Sequence, residues 1–451
     1  MPDSRSILKM PVPFRWGVAT AAHQNEGDNT NNQWAAWERQ EGRIQNGQLS
    51  GKATGWWDLA EAAADFDRAA DLGLNSLRLS VEWSRIEPEE GVFSATGLRR
   101  YHEMIGLLCE RGLEPMVTLH HFTDPMWLAW LGGWENPRVG DYFGRFVARV
   151  VDALGDQVHI WCTINEPLVY AYSGYLEGSF PPGARSLPRA SRVLRRMMLA
   201  HGRAYRVIHA AQNDAMVGIA HHMQVMLPAH PGWLLDRYAT RLADHLANGT
   251  SLTAVLLGRL TPPIGWGETV PELIDSADYM GLNYYSTVRA TFDPTRPAEL
   301  FTRRFLDPHG ELSELTKSGQ HFSEINPRGM YLALKRLSAY KKPIYITENG
   351  LPDRLDAIRP RFIATHLAEA WRAIQEGADV RGYYHWTLVD NFEWSEGYNL
   401  KFGLFEMDPE TRARTSRTSA AVYARIAQAN GIPRQVMERV AAGAVPTYFA
   451  G

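Results

Sequence analysis

Strand-like and helix-like segments alternate from one end of the chain to the other, and this alternation leaves few folds open. Short β-type runs occur in FRWGVATAA, LNSLRLSVEW, LEPMVTLHH, QVHIWCTINE, AMVGIAHHM, ADYMGLNYYS, KPIYITEN and VRGYYHWTL. Helical patterns lie between them, with apolar residues at spacings of three and four, as in Leu98, Tyr101, Ile105 and Leu108. Strands that alternate with helices predict a parallel sheet, and eight such units predict a closed (β/α)8 TIM barrel.

No linker, repeat or low-complexity tract interrupts this pattern, so we predict one catalytic domain over residues 1–451. Irregular stretches at about 28–56, 170–190, 225–270 and 287–326 are predicted to be extended loops. In a (β/α)8 barrel the loops that follow the strands surround the catalytic mouth.

The composition argues against nucleic acid and membranes as partners. The formal net charge of -3 provides no positive excess that nucleic acid or an anionic membrane would attract. No apolar run approaches the roughly 18 residues of a membrane span, and the N-terminus has no apolar stretch of signal-peptide length. Two cysteines cannot form a disulfide framework, and we expect both Cys109 and Cys162 to be small core residues. We therefore predict a cytoplasmic protein, with a homo-oligomer left open.

Two of the predicted strands end on a carboxylate. HIWCTINEP runs through Ile160 and Ile164 into Glu166, and KKPIYITENG runs through Ile346 into Glu348. These are the fourth and seventh strands, so both acids are expected at the same mouth of the barrel. A buried carboxylate is costly unless it is paired or hydrogen-bonded. One acid alone would be explained by a salt bridge that closes the top of the barrel, but two acids at matching strand ends favour a catalytic role.

Two facing carboxylates suit the cleavage of a glycosidic bond. One protonates the leaving oxygen while the other attacks the anomeric carbon, at a separation of about 5–5.5 Å when the configuration is retained. We expect repulsion from ionised Glu348 to hold the proton on Glu166 until esterification of Glu348 removes that charge. Arg78, in SLRLSVEW, is placed to keep Glu348 ionised. Pro167 is predicted to hold Glu166 in an extended conformation.

The motifs TINEP and ITENG together resemble glycoside hydrolase family 1, the β-glucosidase and β-galactosidase family. The resemblance covers nearly the whole chain, from FRWGVATAAHQNEG to HWTLVDNFEWSEGYNLKFGLFEMD. It implies an exo-acting, retaining β-glycosidase that works by double displacement, with Glu348 as nucleophile and Glu166 as acid/base. It also implies glucosidase activity with some galactosidase or fucosidase activity. The scattered histidines offer no metal-ligand spacing, so we predict no metal and no cofactor.

The same resemblance implies roles for residues around the two acids. Tyr285, in GLNYYS, matches a phenol that hydrogen-bonds the nucleophile, and Asn283 is expected to support the nucleophile's surroundings and the substrate. The other matches would contact the sugar: Gln24 at its 3- and 4-hydroxyls, His121 at the 3-hydroxyl, Asn165 at the 2-hydroxyl, Trp386 as a ring platform, Glu393 and Trp394 at the 4- and 6-hydroxyls, and Phe402 as an apolar wall.

The chain departs from the family pattern at three places near these motifs. The common YQIEG is HQNEG here, so that His23 and Asn25 replace an aromatic and an apolar residue. Glu82 stands where a serine is usual, and we expect it to pair with Arg85. These changes leave the two acids in place and bear on the subsite preference.

Three other functions fit parts of the pattern. A transglycosidase would pass the same covalent intermediate to a sugar hydroxyl, and only the acceptor-site loops would distinguish it. A phospho-β-glycosidase shares the barrel, but Glu393 would repel the 6-phosphate dianion. A non-catalytic sugar-binding protein would be expected to lack one of the two acids, and both are present.

Overall fold

The computed structural model describes residues 6–449, so the ends of the predicted domain, residues 1–5 and 450–451, lie outside the described residues. Each of the eight predicted β-type runs contains a strand. We number these strands in chain order: β1 (Arg15–Ala19), β2 (Ser76–Ser80), β3 (Glu114–His120), β4 (Ile160–Asn165), β5 (Met216–His222), β6 (Tyr279–Asn283), β7 (Ile344–Asn349) and β8 (Val380–Trp386).

These strands close into a barrel in the order β6-β7-β8-β1-β2-β3-β4-β5, and β5 pairs with β6 to complete it. All neighbouring pairs are parallel. The predicted (β/α)8 barrel is therefore confirmed. Every residue of β4 and β7 is buried, because side chains on one face fill the barrel and those on the other lie under the helices.

A helix follows each barrel strand before the next one begins. In α2, the predicted apolar stripe of Leu98, Tyr101, Ile105 and Leu108 is buried, which confirms the helical spacing. The eight helices that alternate with the strands within residues 6–449 are α1 (Leu59–Asp71), α2 (Ala95–Glu110), α3 (Val139–Leu154), α4 (Leu187–Ala211), α5 (Thr250–Leu257), α6 (Pro327–Ser338), α7 (Arg359–Gln375) and α8 (Thr418–Gln428).

The predicted loops contain more regular structure than expected. Region 225–270 holds a strand, Val225–Pro228, and a helix, Leu234–Asp244, as well as α5. That strand pairs with Thr287–Phe292, which in turn pairs with Thr302–Phe305, so the loops after β5 and β6 share a small sheet. The prediction of irregular loops is wrong here, because pairing between two distant loops cannot be read from either segment alone.

The remaining elements are short and lie mostly in the loops and at the chain ends. Short helices lie at Ala22–Asn25, Gln33–Trp37, Gln45–Gly47, Trp83–Ile86, Met126–Trp130, Gly133–Glu135, Pro167–Tyr172, Ser173–Glu177, His245–Gly249, Pro297–Glu299, Trp394–Glu396, Arg434–Val440, Ala442–Ala444 and Val445–Phe449. Short strand pairs join Ile7–Lys9 to Gly431–Pro433, Gly258–Arg259 to Thr269–Ile274, and Phe405–Met407 to Arg414–Ser416.

The two cysteines differ in their surroundings. Cys162 is buried in β4 as expected, but Cys109 is exposed near the end of α2. The prediction of a core position for Cys109 is wrong, because its neighbour Leu108 occupies the buried face of the helix. In the part of the chain that the structure describes, no helix is long and apolar enough to cross a membrane.

Candidate active site

Glu348 lies near the end of β7 with both carboxylate oxygens hydrogen-bonded. Arg78 Nη1 donates to Oε1 at 2.6 Å, and the Tyr285 hydroxyl donates to Oε2 at 2.7 Å. Arg78 comes from β2 and Tyr285 follows the end of β6, so three parts of the barrel rim meet at this carboxylate. The contacts expected from the sequence for Arg78 and Tyr285 are both present.

Arg78 also connects Glu348 to the neighbouring strands. It is completely buried, and its Nη2 donates to Asn165 Oδ1 at 2.6 Å while its Nε donates to Thr118 Oγ1 at 3.0 Å. A buried guanidinium is stable only where a carboxylate and further acceptors satisfy its donors. The arginine therefore links β2, β3, β4 and β7 in one hydrogen-bonded group.

Glu166 follows β4 directly and has a left-handed backbone, with φ 44° and ψ 59°. The expectation that Pro167 would hold it extended is wrong. Pro167 begins the short helix Pro167–Tyr172, and the sharp turn from strand to helix is made at Glu166 itself. A left-handed conformation is unfavourable for a residue with a side chain and persists only where its surroundings enforce it, which is common at functional sites.

Glu166 Oε1 has two partners from the next strands around the barrel. Asn283 Nδ2, at the end of β6, donates to it at 2.7 Å, and His222 Nδ1, at the end of β5, lies 3.3 Å away. The Thr347 hydroxyl donates to Asn283 Oδ1 at 2.6 Å and so fixes the orientation of the amide. Asn283 pairs in register with the expected neighbour Glu348, and its amide group contacts the other acid.

The partners of the two acids set their proton affinities. Burial raises the pKa of Glu348 to about 7, with Arg78 opposing the rise and the charge of Glu166 adding to it. Burial acts in the same direction on Glu166, but His222 and Asn283 outweigh it, so the pKa of Glu166 lies below its usual value. Glu348 therefore has the higher pKa of the two acids, whereas repulsion between the carboxylates alone was expected to give Glu166 the higher pKa. The imidazole of His222 contributes most to this difference.

Asn165 and His121 form a second pair beside Arg78. Asn165 Nδ2 lies 3.1 Å from His121 Nε2, so the amide donates to the ring and the proton of the neutral imidazole is on Nδ1. Burial and the positive charge of Arg78 hold the pKa of His121 well below its usual value, which keeps this ring neutral. Among the described residues, His121 Nδ1 has no hydrogen-bond partner.

Gln24, Trp386 and Glu393 meet where the neighbouring strands β8 and β1 end. Gln24 Nε2 donates to Glu393 Oε2 at 3.1 Å and to the Phe392 carbonyl at 2.8 Å, and Trp386 Nε1 lies 3.4 Å from the same carboxylate oxygen. Burial raises the pKa of Glu393 to about 8, although the hydrogen bond from Trp386 opposes the shift. Gln24 Oε1 is buried and has no hydrogen-bond partner within residues 6–449.

Aromatic rings connect these two groups of polar residues. Trp394 packs against His121 with ring centroids 6.0 Å apart and an interplanar angle of 23°, and His121 lies 6.0 Å from Trp386. Phe402 meets Tyr285 edge-on at 6.4 Å. The structure therefore brings all twelve sequence-predicted site residues to one end of the barrel.

The departures from the family pattern lie just behind this group. His23 stacks on Trp394 with ring centroids 5.9 Å apart and an interplanar angle of 13°, and its Nε2 is 3.6 Å from Glu38 Oε2. The predicted pairing of Glu82 with Arg85 is wrong. Arg85 Nε donates to Glu26 at 2.8 Å instead.

Glu82 is satisfied by hydroxyl groups rather than by a cation. Its two oxygens accept hydrogen bonds from Ser84 and Thr123, both at 3.0 Å. The sequence spacing placed Arg85 within reach of Glu82, but the short helix Trp83–Ile86 turns the Arg85 side chain toward Glu26.

His222, which contacts Glu166, was not singled out from the sequence. Its position gave a signal, because it ends the fifth predicted strand as Glu166 and Glu348 end theirs. Among residues 6–449, no group of three or more His, Cys, Asp or Glu side chains is arranged to hold a metal ion.

The glycosyl hydrolase family 1 profile matches residues 7–432. The chain belongs to this family. Beta-glucosidase A of Thermotoga maritima is 32% identical to this chain over 456 residues, which cover 95% of this chain and 99% of that protein. The beta-galactosidase of Pyrococcus woesei is 30% identical to this chain over 511 residues, which cover 96% of this chain and 100% of that protein.

A solved structure supports the same relationship. The beta-glycosidase from Pyrococcus horikoshii has a TM-score of 0.86 with this chain at 36% identity, covering 96% of this chain and 98% of that one. This family 1 member is thus a glycoside hydrolase of the retaining class.

Proposed function

We propose that this family 1 enzyme is an exo-acting β-glucosidase that also hydrolyses β-galactosides or β-fucosides, with Glu348 as nucleophile and Glu166 as acid/base. The observation that carries the proposal is the placement of Glu348. Its two oxygens are oriented by Arg78 and Tyr285 at the same barrel end at which Glu166 faces Asn283 and His222. Similarity to a beta-glucosidase and a beta-galactosidase supports the choice of substrates.

The first chemical step would form a covalent sugar–enzyme ester. A Glu348 oxygen attacks the anomeric carbon while the bond from that carbon to the leaving oxygen breaks, and Glu166 gives its proton to that oxygen. Arg78 and Tyr285 restrain the nucleophile so that little reorientation is needed during attack.

The second step would return the enzyme to its starting state. Glu166 removes a proton from water, the water oxygen bonds to the anomeric carbon, and Glu348 leaves as a carboxylate. The product keeps the β-configuration because the anomeric carbon is inverted twice.

Recognition of the sugar is assigned to the polar and aromatic groups around the acids. Two buried polar atoms, His121 Nδ1 and Gln24 Oε1, are a donor and an acceptor without partners among residues 6–449, and a sugar hydroxyl would satisfy each. Further contacts are proposed for Asn165, Asn283, Trp386, Glu393, Trp394 and Phe402.

A phospho-β-glycosidase activity is less well supported. Lys401, the lysine of the loop that contains Glu393, is buried, and its Nζ lies 3.9 Å from Asp390 Oδ2. Its charge is thus engaged by a carboxylate of the protein rather than free for a 6-phosphate group. Transglycosylation remains a second outcome of the same covalent intermediate.

A screen of aryl β-glycosides with cellobiose, lactose and sophorose tests the proposal, with the first-formed anomer followed by NMR. We expect release of the β-anomer, with glucosides hydrolysed faster than the other sugars. Release of the α-anomer, or no turnover of any of these substrates, would contradict it. Transfer to added sugar acceptors in preference to water would favour the transglycosidase.

The organisation and location of the protein also belong to this proposal. One continuous hydrophobic core extends from Leu8 to Phe449, which supports a single domain. The free thiols of Cys109 and Cys162 fit a reducing, cytoplasmic location. The oligomeric state stays a prediction without a structural argument.

A further inference from the structure

His222 occupies a defined position between the strands that carry the acid/base and its amide partner. It is the last residue of β5, and it pairs in register with Asn283 at the end of β6. Its Nδ1 lies 3.3 Å from Glu166 Oε1, the same oxygen that accepts the hydrogen bond from Asn283. The imidazole therefore contacts the carboxylate directly and does not act through the backbone.

The groups that face His222 are mostly acidic. Glu166 contacts it from β4, the field of Glu348 reaches it from β7, and the Tyr285 ring lies parallel to it at 6.1 Å and 18°. Burial lowers the pKa of His222, but the two carboxylates outweigh this effect and raise the pKa above its usual value. The adjacent His221 points away, toward Ser251.

The imidazole is also more accessible than the carboxylate that it contacts. The His222 side chain keeps 21% of its surface exposed, against 8% for Glu166. A group in this position can take up or release a proton more readily than the buried acid, and can pass it across a single hydrogen bond.

We propose that His222 is a positioning residue that shares one proton with Glu166, so that the acid of the first chemical step is the pair of side chains. In the resting enzyme the proton bonds to His222 Nδ1 or to Glu166 Oε1. During the first step Glu166 transfers it to the leaving oxygen, and both side chains of the pair are left without it. In the second step Glu166 takes a proton from water, so each turnover ends with one proton on the pair.

This sharing has a consequence for the pH dependence of kcat/KM. Either partner can hold the proton, so the pair releases it at a higher pH than the carboxyl of Glu166 would alone. The alkaline limb of the pH profile is therefore set by the pair whenever the leaving group needs an acid. The inference rests on the acid role proposed for Glu166.

The test compares His222→Asn with the wild type, because asparagine keeps a hydrogen-bond donor near Glu166 but does not titrate. With cellobiose, we expect the alkaline limb of kcat/KM to move down by about one pH unit. With 2,4-dinitrophenyl β-glucoside, whose leaving group needs little protonation, we expect no comparable shift. An unchanged alkaline limb with cellobiose would overturn the proposal.

Three further variants make the outcome specific. His221→Asn changes the neighbouring histidine, which faces Ser251, and should leave the limb where it is. Should His222→Asn prove unfolded by circular dichroism, His222→Gln provides the same comparison with a longer amide. Glu166→Ala, assayed in parallel, separates the two hypotheses. Equal losses of kcat/KM for Glu166→Ala on both substrates would reject the acid role of Glu166. A loss for Glu166→Ala that depends on the leaving group, together with an unchanged alkaline limb for His222→Asn, would reject only the role of His222.

Discussion

Glu166 and Glu348 have equivalent places in the barrel but different hydrogen-bond partners. Glu348 faces a guanidinium and a phenol, which favour a fixed carboxylate. Glu166 faces an amide and an imidazole, and the imidazole is itself able to exchange a proton. Neighbours therefore distinguish two side chains of the same type, and in the resting enzyme they leave the higher pKa on Glu348 and the lower one on Glu166.

Removing the nucleophile should abolish hydrolysis. We expect Glu348→Gly to reduce kcat/KM on 4-nitrophenyl β-glucoside by roughly 10⁴-fold or more, because no carboxylate remains to form the covalent intermediate. Azide, which fits the space left by the side chain, should restore turnover and yield the α-glycosyl azide, identified by NMR. Normal hydrolysis in this variant would show that Glu348 is not the nucleophile.

Removing the acid/base should give a loss that depends on the leaving group. For Glu166→Ala we expect a reduction in kcat/KM of roughly 10²–10⁴-fold with cellobiose, which is the usual contribution of general acid catalysis. The first step with 2,4-dinitrophenyl β-glucoside should be far less affected, because that leaving group is stable as an anion. A burst of dinitrophenol followed by slow hydrolysis would mark the loss of base catalysis in the second step.

Glu393 is predicted to discriminate between sugars at their 4- and 6-hydroxyls. Replacing it in Glu393→Ser should remove hydrogen bonds of about 1.5–3 kcal/mol each, and each lost bond corresponds to a loss of roughly 10- to 150-fold in kcat/KM for glucosides. An aryl β-xyloside, which has no 6-hydroxyl, should lose less. Glu396→Ser is the matched control, because Glu396 accepts from the Lys317 backbone instead. Equal kinetics of Glu393→Ser and wild type on glucosides would contradict the assignment.

At the residue scale, the sequence was most informative where a strand ends in a short polar motif. Glu166 and Glu348 were located by this rule, because barrel geometry gathers such ends, whereas Arg78 lies in the middle of β2. The pattern did not reveal the left-handed backbone of Glu166, since a following proline normally favours an extended residue. Nor did it reveal His222 as the partner of Glu166, because contact between adjacent strand ends depends on register and rotamer.

The barrel strands were predicted closely, whereas the loop elements were not. The strands are short runs buried on both faces, bounded by glycine and polar residues, and they stand out in the sequence. The sheet of Val225–Pro228, Thr287–Phe292 and Thr302–Phe305 joins two loops separated by β6. Its strands are half-exposed and are stabilised by pairing with each other, which no local pattern records.

One helix of the barrel depends on a glycine that packs against Tyr284, the residue after β6. Gly329 lies in α6, where an added Cβ would overlap Tyr284 Oη and come within 2.5 Å of Thr287 Oγ1. Gly329→Ala should therefore lower the free energy of unfolding by about 1–3 kcal/mol, measured by urea denaturation. Gly140→Ala in α3 is the control, since nothing lies within 4 Å of its Cβ, and it should stabilise by about 0.4–1 kcal/mol. A Gly329→Ala protein as stable as the wild type would show that α6 can move away from Tyr284.

At the scale of the whole molecule, the barrel brings together residues that are far apart in the chain. Arg78, Glu166 and Glu348 come from β2, the end of β4 and β7, and one chain of hydrogen bonds through Asn165 and Asn283 joins them. Eight alternating units were enough to predict this convergence. The substrate preference was not predictable to the same degree, because it depends on loops whose pairing was not visible in the sequence.

The most direct test of the account is the identity of the side chain that becomes covalently linked to the sugar. Incubation with 2-deoxy-2-fluoro-β-glucosyl fluoride should slow the second step and trap the ester, and peptide mass spectrometry should locate the label. We expect the 2-fluoroglucosyl group on Glu348. A label on Glu166 or Glu393, or continued hydrolysis without any labelled peptide, would contradict the double-displacement roles assigned to the two strand-end acids.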